Sequence, residues 1–145
     1  MTERLLTIVI DPNVFVSAFV SRAGLPYAIL LAWARRQFEL IVSPALLAEL
    51  RGVLLREKFR RYGSEADVAA FLDQFTDARL EPDPPSERIV PADPGDDYLM
   101  VLGRHVQADY VISGDHHLTG LSDPHPPVLR PRAFYELLEG DTSRL

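Results

Sequence analysis

Short apolar runs alternate along this chain with longer segments whose apolar residues recur at helical spacing. The runs predict strands at 5–10, 38–42, 108–113 and 127–129. The longer segments predict helices at 13–20, 26–36, 44–56, 64–75, 95–106 and 133–138. Strands that are apolar on both faces and alternate with helices are typical of a parallel sheet covered by helices on both sides. We therefore expect an α/β fold.

Residues that favour turns and helix starts set the boundaries between these elements. Pro12 and Pro44 suit the first turn of a helix, and Ser43 is a good N-cap. Ser64 is followed three residues later by Asp67, which resembles a capping box. The proline-rich segment 81–94 is predicted as a loop, with a short edge strand near 88–90.

Composition limits the class of protein. The chain has 145 residues, no cysteine and a net charge of −6. It can therefore form neither a disulfide scaffold nor a zinc site with thiolate ligands. We expect one domain over 1–145, with a core at about 5–138 and a frayed tail at 140–145. The N-terminus does not resemble a signal peptide, and no apolar run is long enough for a membrane span. These features predict a cytoplasmic protein without a membrane partner.

Several acidic residues lie where the predicted strands end. Asp11 follows the first strand and Asp115 follows the third, while Glu49 lies two turns into the helix after the second. Further acids lie at the start of the helix predicted at 95–106, namely Asp93, Asp96 and Asp97. In an open parallel sheet, sites form beyond the carboxyl ends of the strands.

Each acid also has a purely structural explanation. Asp11 can cap the following helix, and Asp93, Asp96 and Asp97 can act as helix caps or as acids favoured by the helix dipole. Glu49 can be a solvated helix residue, and Gly114-Asp115 is an ordinary turn pair.

The convergence of these acids is more informative than any one of them. Two carboxylates about 4 Å apart repel by about 4 kcal/mol at an effective dielectric constant of about 20. A domain with a total stability of roughly 5–15 kcal/mol needs a counter-ion to hold several such pairs. Oxygen ligands without cysteine favour Mg²⁺ or Mn²⁺. The residues thus predict an acidic metal pocket for phosphate chemistry, without selecting a substrate.

Five segments of the chain resemble the PIN-domain family, in particular its VapC-like toxin ribonucleases. In order, they are VIDPNVFVSA at 9–18, SPALLAEL at 43–50, DPGDDYLM at 93–100, ADYVISGD at 108–115 and PVLRPRAFYELL at 127–138. The resemblance covers about 5–138. It implies a three-layer α/β/α sandwich with a central parallel sheet, and a ribonuclease that depends on Mg²⁺ or Mn²⁺.

The resemblance also implies roles for individual residues. The catalytic and metal-binding acids would be Asp11, Glu49, Asp97 and Asp115, with Glu49 binding directly or through water. Asp96 is an alternative to Asp97, whereas Asp93 fits a cap better. Asn13 and Ser113 would orient ligands or waters. Related toxins pair with an antitoxin protein and often form homodimers, so both partners are expected beside RNA.

The histidines depart from the family pattern. Related sequences often carry an acid two residues after the last aspartate, where this chain has His117. The number of metal ions, one or two, is therefore left open. His116 and His117 could contact metal or phosphate, or be solvated or capping loop residues. His105 and His125 have no stronger claim.

Basic residues gather in one part of the chain and acids in another. The basic residues that could steer an RNA backbone are Arg51, Arg56, Lys58, Arg60 and Arg61. A solvated helix end explains them equally well. The aromatic residues at helical spacing are predicted to be core rather than base-stacking residues: Phe15, Phe19, Tyr27, Trp33, Phe71 and Phe75.

Two other functions fit parts of the sequence. A phosphohydrolase of the haloacid-dehalogenase type would also use an aspartate after the first strand, but such enzymes need a second aspartate where this chain has Asn13. A catalytically silent binding module, receiver-like or PIN-like, is the other alternative.

Overall fold

A computed structural model describes the backbone of residues 4–85 and 94–143, and the side chains of 4–85 and 98–140. Within this part of the chain, five parallel strands form one sheet in the order β3-β2-β1-β4-β5. The strands are β1 Thr7–Ile10, β2 Glu39–Val42, β3 Arg79–Leu80, β4 Tyr110–Ile112 and β5 Val128–Leu129. The predicted three-layer α/β/α sandwich with a parallel central sheet is confirmed.

Seven α-helices and two 3-10 helices connect or follow these strands in the described residues. The α-helices are α1 Pro12–Val20, α2 Leu25–Ala34, α3 Pro44–Leu54, α4 Glu65–Asp73, α5 Pro94–His105, α6 His116–Thr119 and α7 Pro131–Ser143. The 3-10 helices cover Glu57–Tyr62 and Gln74–Asp77. Among the described residues, no single helix is long and apolar enough to cross a membrane; α1 and α2 reach that length and composition only together, with a 103° bend between them.

The order of the strands creates a switch point beside β1. The chain starts at β1, proceeds outward through β2 and β3, and then returns to place β4 on the other side of β1. The connections that leave β1 and β4 therefore diverge at their carboxyl ends. In open α/β sheets, this is where a crevice forms and ligands bind.

The apolar runs form strands because their side chains are buried in the core of the protein. The side chains of Ile8, Val9 and Ile10 are 0% exposed, as are those of Leu40 and Ile41. The predicted aromatic core is confirmed. Phe15 and Phe75 are buried in edge-to-face contact, with ring centroids 5.1 Å apart. The rest of the predicted group packs against this core: Phe19, Tyr27, Trp33 and Phe71.

The predicted helix caps form as expected. The side chain of Asp11 accepts from the backbone N–H of Asn13, and that of Ser43 accepts from Leu46. Ser64 and Asp67 make a reciprocal capping box at the start of α4. These bonds satisfy backbone donors that the first helical turn leaves unpaired.

Some predicted elements differ from the structure. The helix predicted over 64–75 ends at Asp73 and continues as a 3-10 helix, and the last helix is longer than the predicted 133–138. The sequence did not predict β3, whose two residues are both exposed and so lack a buried apolar pattern. The predicted edge strand near 88–90 lies outside the described residues.

Two glycines test how tightly helices pack on the sheet. A Cβ on Gly103 of α5 would lie 2.9 Å from the ring of Pro126 and 3.1 Å from Val111. We expect Gly103→Ala to lower the free energy of unfolding by about 1 kcal/mol or more, because crowding outweighs the higher helix propensity of alanine. Gly52 of α3 has no atom within 4 Å of such a Cβ. Gly52→Ala should therefore raise stability by about 0.5–1 kcal/mol. Urea unfolding measures both, and a stabilising Gly103→Ala would contradict the packing described.

Candidate active site

Asp11 lies at the carboxyl end of β1, directly at the switch point. Its backbone N–H donates to the carbonyl of Ile112 at 2.9 Å, which ties the end of β1 to the end of β4. The side chain is buried, with 5% of its residue surface exposed. Its Oδ1 accepts from the backbone N–H of Asn13 at 3.0 Å, and its Oδ2 accepts from the hydroxyl of Ser113 at 2.8 Å. Both donors are neutral groups that fix the position of the carboxylate.

Ser113 links the carboxylate of Asp11 to the backbone of a second acidic residue, Asp115. Its side chain is fully buried at the end of β4. While its hydroxyl donates to Asp11, its oxygen accepts from the backbone N–H of Asp115 at 3.0 Å. Asp115 caps α6, because its Oδ1 accepts from the N–H of His117 at 2.8 Å. One hydroxyl thus joins the two strand-end acids across the switch point.

A second polar cluster lies at the carboxyl end of β2. The hydroxyl of Tyr98, on α5, donates to Oδ1 of Asp83 at 2.6 Å and is hydrogen-bonded to the buried Ser43. The same Asp83 oxygen accepts from the backbone N–H of Ala45 at 3.0 Å. The cluster fastens the first turn of α5 to the start of α3.

This arrangement perturbs the titration of Tyr98 and Asp83. Burial, together with the hydrogen bond to Asp83, raises the pKa of Tyr98 to about 12. The negative charge of Glu49, on α3, contributes to the same rise in the pKa of Tyr98. Glu49 therefore lies near enough to this cluster for its charge to act on it. The hydrogen bonds from Tyr98 and from the Ala45 backbone lower the pKa of Asp83.

The structure brings some of the predicted site residues together. Asp11, Ser113 and Asp115 form one hydrogen-bonded chain, and Asn13 contributes its backbone N–H. Glu49 is exposed on α3, beside the cluster around Tyr98. Asp96 and Asp97 lie in the first turn of α5, but their side chains are outside the described residues. Asp93 lies outside them entirely.

The two adjacent histidines are not in a loop, as the sequence suggested, but begin α6. A loop was expected because Gly114-Asp115 is a common turn pair; here Asp115 caps a helical turn instead. The ligand atoms of Asp115, His116 and His117 all lie within 4.8 Å of one another. His105 and His125 are not part of this group.

The basic residues lie between the second half of α3 and the end of the first 3-10 helix. Three of them belong to the first 3-10 helix, which ends beside Gly63. A Cβ on Gly63 would meet the ring of Phe19, near the C-terminal end of α1, whereas Asp11 caps its N-terminal end. The end of this 3-10 helix therefore lies beside the C-terminal part of α1. The RNA-binding role of these residues stays a prediction.

Sequence reasoning missed Tyr98 and Asp83 as members of the site region. Ser43 was predicted only as a helix cap. The sequence offered one weak signal, since Tyr98 directly follows Asp97 in a segment that the family resemblance covers.

Comparisons with known proteins identify the family and agree with the fold. Residues 7–117 match the sequence model of a family described as PIN domain. The uncharacterized protein MJ1680 of Methanocaldococcus jannaschii is 28% identical, in a match that covers 92% of each chain. The crystal structure of VapBC2 from Rickettsia felis, bound to a DNA fragment from their promoter, is similar with a TM-score of 0.59. That match has 15% identity and covers 86% of this chain and 98% of the other, so it shows the fold.

The raised pKa of Tyr98 predicts a loss of stability at alkaline pH. Folding favours the protonated phenol, so this contribution is complete below the ordinary pKa of 10.0 and disappears as the pH rises towards about 12. We expect Tyr98→Phe to flatten the dependence of unfolding free energy on pH in that window. Urea unfolding at several pH values measures the slope, and Tyr27→Phe is the matched control. An unchanged slope in Tyr98→Phe would contradict the assignment.

Proposed function

The chain belongs to the PIN domain family, and from this premise we propose that it is a VapC-like endoribonuclease that requires Mg²⁺ or Mn²⁺. The resemblance read from the sequence is thereby confirmed at the level of the family. The observation that carries the proposal is the pair of carboxylates, Asp11 and Asp115, joined through Ser113 at the switch point of the sheet.

The donors at this point suit a hard divalent cation. Asp11 and Asp115 offer carboxylate oxygens from two different strand ends, and Ser113 bonds the carboxylate of the first and the backbone N–H of the second. Mg²⁺ and Mn²⁺ prefer such oxygen ligands. We propose that Asp11, Asp97 and Asp115 hold the ion, with Glu49 binding directly or through water and Asp96 as the alternative to Asp97. A bound cation would lower the pKa of water and offset negative charge on the phosphate.

The residues around the ion have separate tasks in this proposal. Asp11 is buried and doubly hydrogen-bonded, so its carboxylate is fixed before substrate arrives. Ser113 and the backbone of Asn13 maintain that orientation. Tyr98 fastens the helix that carries Asp97 to Ser43, and so keeps the third acid at the same edge of the sheet.

The reaction that follows is hydrolysis of a phosphodiester. Water attacks the phosphorus atom, its oxygen forms a new P–O bond, and the bond from phosphorus to the 3′ oxygen breaks. The products are a 5′-phosphate and a 3′-hydroxyl, with one proton going to the leaving oxygen and one to solvent. A 2′,3′-cyclic phosphate would mean that the 2′-hydroxyl of the RNA was the nucleophile.

Partners of the chain form part of the proposal. The structural likeness to VapBC2 supports a protein antitoxin as a partner. A homodimer and a cytoplasmic location remain predictions. The exposed basic residues around the first 3-10 helix can contact the backbone of RNA whose scissile bond lies at the strand ends.

Cleavage of RNA tests the proposal directly. We expect the wild-type chain to cut RNA only with Mg²⁺ or Mn²⁺, and to leave 5′-phosphate ends. Asp11→Asn should lower the rate by at least about 100-fold, because it removes charge where the ion binds. Asp73→Asn, on an exposed position of α4, is the control and should cleave normally. Cyclic phosphate ends, or full activity of Asp11→Asn, would refute the mechanism.

A second measurement tests the basic residues. The double substitution Arg56→Glu with Lys58→Glu should weaken RNA binding and reduce its salt dependence, because fewer phosphate contacts release fewer counter-ions. Arg35→Glu with Arg36→Glu changes net charge equally at the end of α2 and should have less effect. Fluorescence anisotropy with a labelled RNA at several salt concentrations gives both slopes. Equal slopes for the two double variants would assign Arg56 and Lys58 to a solvated surface.

A further inference from the structure

We propose that Asp115, His116 and His117 form a binding site for a first-row transition dication such as Co²⁺, Ni²⁺ or Zn²⁺. The proposal rests on the proposed function only in that Asp115 is shared with the ribonuclease centre. The inference concerns which ion these three side chains bind. Their nitrogen donors favour a transition metal over Mg²⁺ at this group.

The side chains already lie close to the distances that a bound ion requires. Nδ1 of His116 is 3.9 Å from Oδ1 of Asp115, and the two imidazole rings have centroids 4.1 Å apart. The ligand atoms of all three residues lie within 4.8 Å of one another. Ligands bound at about 2.0–2.2 Å from one ion are at most roughly 4.4 Å apart. A small rotation of the exposed His116, whose side chain is 80% accessible, closes the difference.

The short helix that carries the histidines is held in place. Asp115 caps it by accepting from the N–H of His117, and Leu118 is 0% exposed in the core. Asp115 is in turn tied through Ser113 to Asp11. The backbone that presents the imidazoles is therefore fixed by packing and by hydrogen bonds, which reduces the entropy lost when an ion binds.

The side chains of this group favour a cation, and among cations a transition metal. A carboxylate beside two imidazoles disfavours an anion such as phosphate in the same position. Imidazole is a good ligand for Co²⁺, Ni²⁺ and Zn²⁺, whereas Mg²⁺ retains water and prefers oxygen. The two histidines thus give this group, rather than the acids at the strand ends, a preference for a transition metal.

Calorimetric titration of tag-free protein with Co²⁺ and with Mg²⁺ tests the site without RNA. We expect His116→Gln with His117→Gln to lower Co²⁺ affinity by at least about tenfold while Mg²⁺ affinity is unchanged. The change should also remove the visible absorption band of nitrogen-ligated Co²⁺. The control is His105→Gln with His125→Gln, which removes the same number of histidines elsewhere and should retain Co²⁺ binding.

The possible outcomes separate this inference from the proposed function. Co²⁺ affinity that is equal in the wild type and in the His116/His117 variant overturns the inference, even if cleavage depends on Asp11. An equal loss in the His105/His125 control overturns it as well. Loss of Co²⁺ affinity in the His116/His117 variant alone supports the inference, even if the protein cleaves no RNA.

Discussion

The hydrogen bond from Ser113 to the buried carboxylate of Asp11 is the interaction on which the site depends. It holds a charge at 5% exposure, where an unsolvated carboxylate is costly, and it connects the carboxyl ends of two adjacent strands. Through the same oxygen, Ser113 positions Asp115. Both acids thus lie at the edge of the sheet where ligands bind in open α/β folds.

The fold supplies that placement through the order of its strands. Because β4 returns to lie beside β1, residues more than a hundred positions apart become neighbours at one edge. The cluster of Ser43, Asp83 and Tyr98 does the same for α3 and α5, and so joins the helices that carry Glu49 and Asp97. Hydrogen bonds between pairs of elements thus assemble the site, and each bond can be removed by a separate substitution.

Much of this was predictable because it follows from local rules. Buried apolar runs mark the strands, and strands in parallel order bring Asp11 and Asp115 to one edge. The partners of Tyr98 could not be predicted, since they depend on how α5 packs against α3. The two-residue β3 has no apolar pattern that would predict a strand. The helix α6 was not predicted because Gly114-Asp115, directly before it, is a common turn pair.

The most direct test of the account is thermal melting of wild type and Asp11→Asn in chelator-treated buffer, before and after addition of Mg²⁺. In asparagine, Oδ1 can keep the cap and Nδ2 can donate to Oγ of Ser113 instead of accepting from it, and the buried carboxylate is removed. We expect the variant to be at least as stable as wild type without metal. At about 100 times Kd, Mg²⁺ should raise the Tm of wild type by roughly 5–10 °C and leave the variant unchanged. An equal shift in both proteins, or no shift in wild type, would contradict a metal site at Asp11.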